Sequence, residues 1–283
     1  MPSPGSRPID TGMTYATLMV HCDLDPGTDN RLKIAANLAE RFNAVVIGIA
    51  ALPESAPLYF DFAQGSAAAR VQEEVRASIE SRLQMTEERF RKAMEGRARQ
   101  AEWRAAIGEP LAFVTRECRA ADLLIAGKDP EFVTLDPGDL VMAAGRPVLL
   151  TPGEIHLLSG SCVLIAWRDT REARCAVMDA LPLLRLCQKA VVAEIDESKD
   201  LQAANRRLAG VVSWLEWHGI NAASRSEPLR ESAAAQLEAI AAAEAADLVV
   251  AGAYGHGRLR ERVLGGATKQ FLHLTARCHL LSH

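Results

Sequence analysis

The chain has 283 residues, enough for two domains of ordinary size, and is 49% apolar but only 5% aromatic. Charged residues make up 24% with a formal net charge of −4, which argues against a nucleic-acid partner, since such proteins carry a basic face. Six scattered cysteines form no C-x-x-C pair and no zinc-spaced set, and no apolar run approaches membrane-spanning length, so the expectation is a cytoplasmic protein with reduced thiols, no membrane and no metal.

Residues 1–12 form a polar, Pro/Gly-rich tail without the apolar segment of a signal peptide. The first repeat spans 13–152. Its apolar runs predict strands at about 15–22, 44–50, 100–106, 122–126 and 147–151. A helix is expected from Thr28–Asp29, where small polar side chains can cap it. A long amphipathic helix fits Ala67 to Met94, with its acid-rich side in solvent. A Pro/Gly/Ser-bearing joint follows, with the linker at 153–160. The second repeat, 161–283, has strands at about 162–167, 190–195, 221–225, 247–251 and 278–282.

The two halves match in order. ATLMVHCD (Ala16 to Asp23) aligns with SCVLIAWRD (Ser161 to Asp169), and AADLLIAG (Ala120 to Gly127) with AADLVVAG (Ala245 to Gly252). Glu-Pro-Leu recurs at 109–111 and 227–229, and GRPVLLTP ends the first half as ARCHLLSH ends the second. Four matches in one order indicate a duplication. Strands alternating with helices give an α/β fold of two tandem repeats, each a five-stranded parallel sheet with helices on both faces. A pseudo-two-fold axis is expected between them, with the terminal strands near Val148–Thr151 and Leu280–Ser282 at the interface.

The stretch VVAGAYGHGRLRERVLGGATK (Val249 to Lys269) places five glycines behind a strand. Ligands of open parallel sheets bind beyond the carboxyl ends of the strands, where Gly252 and Gly255 fall. Gly265 and Gly266 open the last helix, whose N-terminal N–H groups suit phosphate. The same glycines also fit an ordinary strand–loop–helix corner, and spacing alone leaves both readings open. Neither the P-loop nor the dinucleotide fingerprint is matched.

G-x2-G-x9-G behind ADLVV resembles the nucleotide loop of the universal stress protein family, and the resemblance covers nearly the whole chain as two copies. It implies a hydrolase-related nucleotide-binding fold, ATP or another adenine nucleotide as ligand, and a tandem chain that mimics the family's homodimer, itself able to dimerise. It assigns Gly252, Gly255 and Gly265 to the loop and matches Thr268 to a phosphate-binding hydroxyl. Gly266 stands where a Ser or Thr is usual, a loss of about 1.5–3 kcal/mol. The family's carboxylate after the first strand is Asp23 in the first half. In the second half Arg168 holds that place, and Asp169 serves only if the loop shifts by one residue. Asp169 fits equally well as an acidic residue at a helix N-terminus.

The first half departs further. Gly127 is followed by KDPEF, with Pro130 at the second glycine position and Asp129, Glu131, Asp136 and Asp139 in place of a phosphate loop. At most one nucleotide per chain is expected, in the second half. His256, inside the glycine loop, either donates to phosphate or faces solvent, the latter being the commoner role. His279 and His283, on or beyond the last strand, are expected to pair and not to bind metal. Trp214 and Trp217, at helical spacing, are expected in core or interface contact. Two functions remain: a stress-associated nucleotide-binding regulator with at most slow hydrolysis and an unidentified protein partner, or a scaffold of the same fold that holds no nucleotide. An adenylyl-transfer enzyme ranks below both, because neither VHCDLDPGT nor IAWRDTREA is a Ser/Gly-rich phosphate loop.

Overall fold

The computed structural model describes residues 14–54, 66–128, 135–155, 157–197, 200–230, 232–253 and 277–283. The first half runs β1 (Thr17–His21), α1 (Thr28–Phe42), β2 (Val45–Leu52), α2 (Ser66–Met94), β3 (Gln100–Ile107), α3 (Pro110–Glu117), β4 (Leu123–Gly127), α4 (Pro137–Ala143) and β5 (Val148–Thr151). The second runs β6 (Cys162–Ala166), α5 (Arg171–Leu184), β7 (Lys189–Asp196), α6 (Leu201–Trp217), β8 (Ala222–Pro228), α7 (Ala233–Ala243), β9 (Leu248–Gly252) and β10 (Cys278–Ser282).

The central strands are Val, Leu and Ile runs because both of their faces are covered by helices. β3 and β8 carry charges and are partly exposed, as suits the outer strands of a sheet. Local chemistry fixes several helix starts. Glu109, Thr170 and Ser232 each accept a hydrogen bond from a backbone N–H three residues on. α1 differs from the expectation. Its cap is Gly27, which has no side-chain cap bond, and the Thr28 hydroxyl turns back to Asp23. α1 ends at Asn43, whose left-handed backbone (φ 51°) donates to the last carbonyls.

Each half is parallel, and the two halves join edge to edge. The strand order is β3-β2-β1-β4-β5-β10-β9-β6-β7-β8, a ten-stranded sheet in which only β5 and β10 run antiparallel. The expected two sheets are thus one continuous surface. Leu280 pairs with Leu149, His279 with Leu150 and Leu281 with Val148. Leu149 and Leu280 are equivalent in the repeat, so the pseudo-two-fold axis passes between them and the seam is self-complementary. On the face covered by α1 and α5, one apolar cluster runs without a break from Leu18 and Leu149 to Leu280, Val250 and Ile165. On the other face α3 and α4 cover the first half, and α7 covers the second. Strand order reverses between β1 and β4, and again between β6 and β9. These are the two places where such a sheet opens a crevice.

Candidate functional site

In the first half, β1 delivers His21 and the loop 22–27 to the crevice, β4 ends in Gly127, and β5 leads into Gly153. The crevice is occupied from within. Arg31, in the first turn of α1, is 2% exposed and lies across the strand ends. Its Nη1 donates to the His21 carbonyl at 2.8 Å, and its Nη2 pairs with Asp25 and lies 3.5 Å from Asp23 Oδ1. Thr28 Oγ1 donates to Asp23 Oδ1 at 2.7 Å. Gly127 is the floor: a Cβ there would stand 3.0 Å from Arg31 Nη2. A buried guanidinium is tolerable only with such partners.

The charges follow the geometry. Burial alone would raise the Asp23 carboxyl, but hydrogen bonding with Asp25, the Arg31 charge and the Thr28 hydroxyl outweigh it and hold Asp23 low. Burial and the hydrogen bond shared with Asp23 hold the Asp25 carboxyl above its usual range, although the Arg31 charge opposes them. Burial, then the Arg31 charge, push His21 down to about 3, so its ring is neutral. The space left in the crevice is about 10 Å³, room for roughly one water molecule.

The second half solves the same corner differently. The β6–α5 loop spans 167–170, four residues against six in 22–27, so α5 begins sooner and its first turn lies on the end of β9. A Cβ on Gly252 would meet Ala173 N at 2.4 Å and the Glu172 carbonyl carbon at 2.5 Å. Ala173 therefore stands to Gly252 as Arg31 stands to Gly127. Arg168, 73% exposed, pairs with Glu197 at 3.2 Å. Asp169, also exposed, pairs with Arg174. Neither side chain is drawn into the strand ends.

No family model matches the chain, and no curated protein matches it. Solved structures do. A universal stress protein from Archaeoglobus fulgidus DSM 4304 superposes with a TM-score of 0.69 at 13% identity, over 94% of this chain and 98% of that one. The chain has the fold of a tandem universal stress protein. A candidate universal stress protein from Pseudomonas aeruginosa UCBPP-PA14 gives 0.60 at 14% identity, over 95% and 93%. A protein of unknown function from Pseudomonas aeruginosa PAO1 gives 0.59 at 15%, over 95% and 92%.

On this tandem universal-stress-protein fold, Gly252 closes β9 and Asp169 precedes α5. Gly255, His256, Gly265, Gly266 and Thr268 lie outside the described residues, as do Asp129, Pro130 and Glu131. Asp136 is described and has a local task, since its side chain caps α4 at the Asp139 N–H, 2.9 Å away. Trp214 packs on the core as expected, with the His218 ring at 4.4 Å, whereas Trp217 ends α6 and is 83% exposed. Among the described residues no helix is long and apolar enough to cross a membrane.

Two features were not anticipated from the sequence. Arg31 is one. Its signal was its place on the apolar stripe of α1, one turn before Ala35 and two before Leu38. The other is a buried chain of charges beside the seam. Lys128, next to Gly127, reaches across β5 so that its Nζ donates to His279 Nδ1 at 3.1 Å. His279 Nε2 lies 3.7 Å from Glu238, which Arg277 holds at 2.7 Å. Burial pushes Lys128 down to about 8 and His279 to about 4. Burial would raise the Glu238 carboxyl, but His279 and Arg277 hold it low.

Proposed function

We propose that the chain is a regulatory protein that takes one adenine nucleotide, ATP foremost, in the crevice of its second half, and responds through shape or assembly. One observation carries the reading. Gly252 closes β9 beside β6, where strand order reverses, and the G-x2-G-x9-G stretch begins there. In this reading the backbone N–H groups of Gly252, Gly255, Gly265 and Gly266 and the Thr268 hydroxyl hold phosphate, with His256 beside them. Affinity is weak, because Gly266 brings no hydroxyl and Arg168 brings no acceptor for a ribose. Hydrolysis is slow at most, and no catalytic residue is assigned. Arg31 supports a single site, since it fills the other crevice. The working compartment is the cytoplasm, where ATP is abundant and thiols stay reduced.

A second reading has its own observation. The close approach of Glu172 and Ala173 requires glycine at 252 with no ligand present, as in a scaffold that keeps the fold and holds no nucleotide. Native mass spectrometry of freshly purified protein and calorimetry with ATP separate the two. The first reading expects one nucleotide per chain, lost in Gly255→Val and kept in Asp23→Ala. Two equivalent sites, or no binding at millimolar ATP, would overturn it, and the latter result leaves the scaffold reading standing.

A further inference from the structure

We propose that the first half is an internally liganded domain: the Arg31 guanidinium occupies its crevice as a bound small molecule would, making it a site for planar guanidinium cations instead of phosphates. The inference stands apart from the nucleotide reading of the second half.

Three observations carry it. The first is position, because the guanidinium lies at the carboxyl ends of β1 and β4, where a sheet of this order receives its ligand. The second is chemistry. The groups that meet it are the Asp23 and Asp25 carboxylates, the His21 carbonyl and the Thr28 oxygen, all of which accept. Such a cage suits a planar donor fork and repels phosphate. The third is fit. Gly127 leaves the floor bare where a Cβ would crowd the guanidinium, and His21 Nε2 and Arg31 Nε are buried without a hydrogen-bond partner around a space for one water. The lock also reaches the linker between the halves. Asn30 Nδ2 donates to the Gly153 carbonyl at 2.7 Å, and a Cβ on Gly27 would stand 2.9 Å from Gly153 Cα. The guanidinium thus fastens loop 22–27, and the loop in turn meets the linker.

An internal ligand is replaceable by an external one once its stem is removed. Full-length Arg31→Ala leaves two carboxylates facing a cavity. Its melting temperature is expected to fall below that of wild type and to rise again, saturably, with methylguanidinium at non-denaturing concentrations. Wild type should show no such rise, and tetramethylammonium, equal in charge but without N–H donors, should not rescue the variant. Arg31→Met keeps the stem and loses the charge, and is expected to melt below wild type at pH 7. If Arg31→Ala does not fold alone, recovery of folded chain on refolding with methylguanidinium supports the proposal, and failure to recover it overturns the proposal. Equal melting of Arg31→Met and wild type, or rescue by tetramethylammonium as strong as by methylguanidinium, also overturns it.

Discussion

The two crevices begin from the same strand order and set different neighbours against the glycine that closes the fourth strand. In the first, a six-residue loop sets α1 back from Gly127, and the long side chain of Arg31 bridges the gap. In the second, a four-residue loop brings the backbone of α5 itself against Gly252. A side chain can be drawn aside, whereas a helix backbone moves only with its helix. The glycine that closes the fourth strand is needed in both halves, but for a soft neighbour in one and a hard neighbour in the other. Loop length, and not the glycine, decides what stands against the end of the fourth strand.

Acid tests the comparison hardest. His21 stands at the end of β1, where the second half has Ala166, and it is buried and neutral with a pKa of about 3. An unfolded histidine titrates near 6.5. Between these values the unfolded chain binds a proton that the folded chain refuses. The stability is therefore fully present above about pH 6.5 and is lost as pH falls, by about 1.4 kcal/mol per unit for each such ring. His279, down at about 4, adds to the loss over the same window. Urea denaturation from pH 7 to pH 4.5 should show a combined loss on the order of 5 kcal/mol, and His21→Gln should remove roughly half of that slope. A midpoint that is flat with pH would mean that both rings take up protons in the folded chain.

Substituting the two glycines sharpens the contrast at closer range. Gly252→Ala drives a methyl into backbone at 2.4 Å and is expected to cost about 3 kcal/mol. Gly127→Ala meets only the tip of Arg31 at 3.0 Å and is expected to cost about 1 kcal/mol. Equal losses in denaturant titrations would erase the distinction between hard and soft fillings. The smallest effect belongs to the surface of the second crevice. Arg168→Ala removes an exposed pair with Glu197 and should change stability by no more than about 0.5 kcal/mol. A loss above about 1 kcal/mol would show that Arg168 helps to build that corner.

The strands were legible because buried parallel strands must be nearly pure Val, Leu, Ile and Ala, and the AADLLIAG and AADLVVAG repeat fixed their order. The terminal strands were legible as the seam from the resemblance to universal stress proteins, which implies pairing through the last strand. Their merger into one sheet was not, because pairing across the seam depends on backbone and not on residue type. Arg31 escaped because an arginine on a helix ordinarily faces solvent. Its burial follows from Asp23 and Asp25, and of these only Asp23, as the carboxylate that the family resemblance implies after the first strand, carried a reading from sequence. Lys128 escaped because its partner His279 is 151 residues away. Asp169 shows the limit of one-residue arguments: its exposed pair with Arg174 is a local event that alignment with Asp23 does not reveal.

The self-complementary seam also bears on how such a chain is free to change. In an assembly of two identical copies, every substitution near the axis occurs twice. A histidine at the position of His279 would then face its partner strand from both sides, and each imidazole would bring a buried lysine and glutamate with it. In this chain His279 lies opposite Leu150, while its counterpart Val148 lies opposite Leu281. The charged chain therefore exists on one side of the axis alone, and its desolvation is met once. Covalent fusion of the copies keeps the seam together at high effective concentration while each side mutates alone. Linkage thus leaves each crevice free to differ from the other without disturbing the seam.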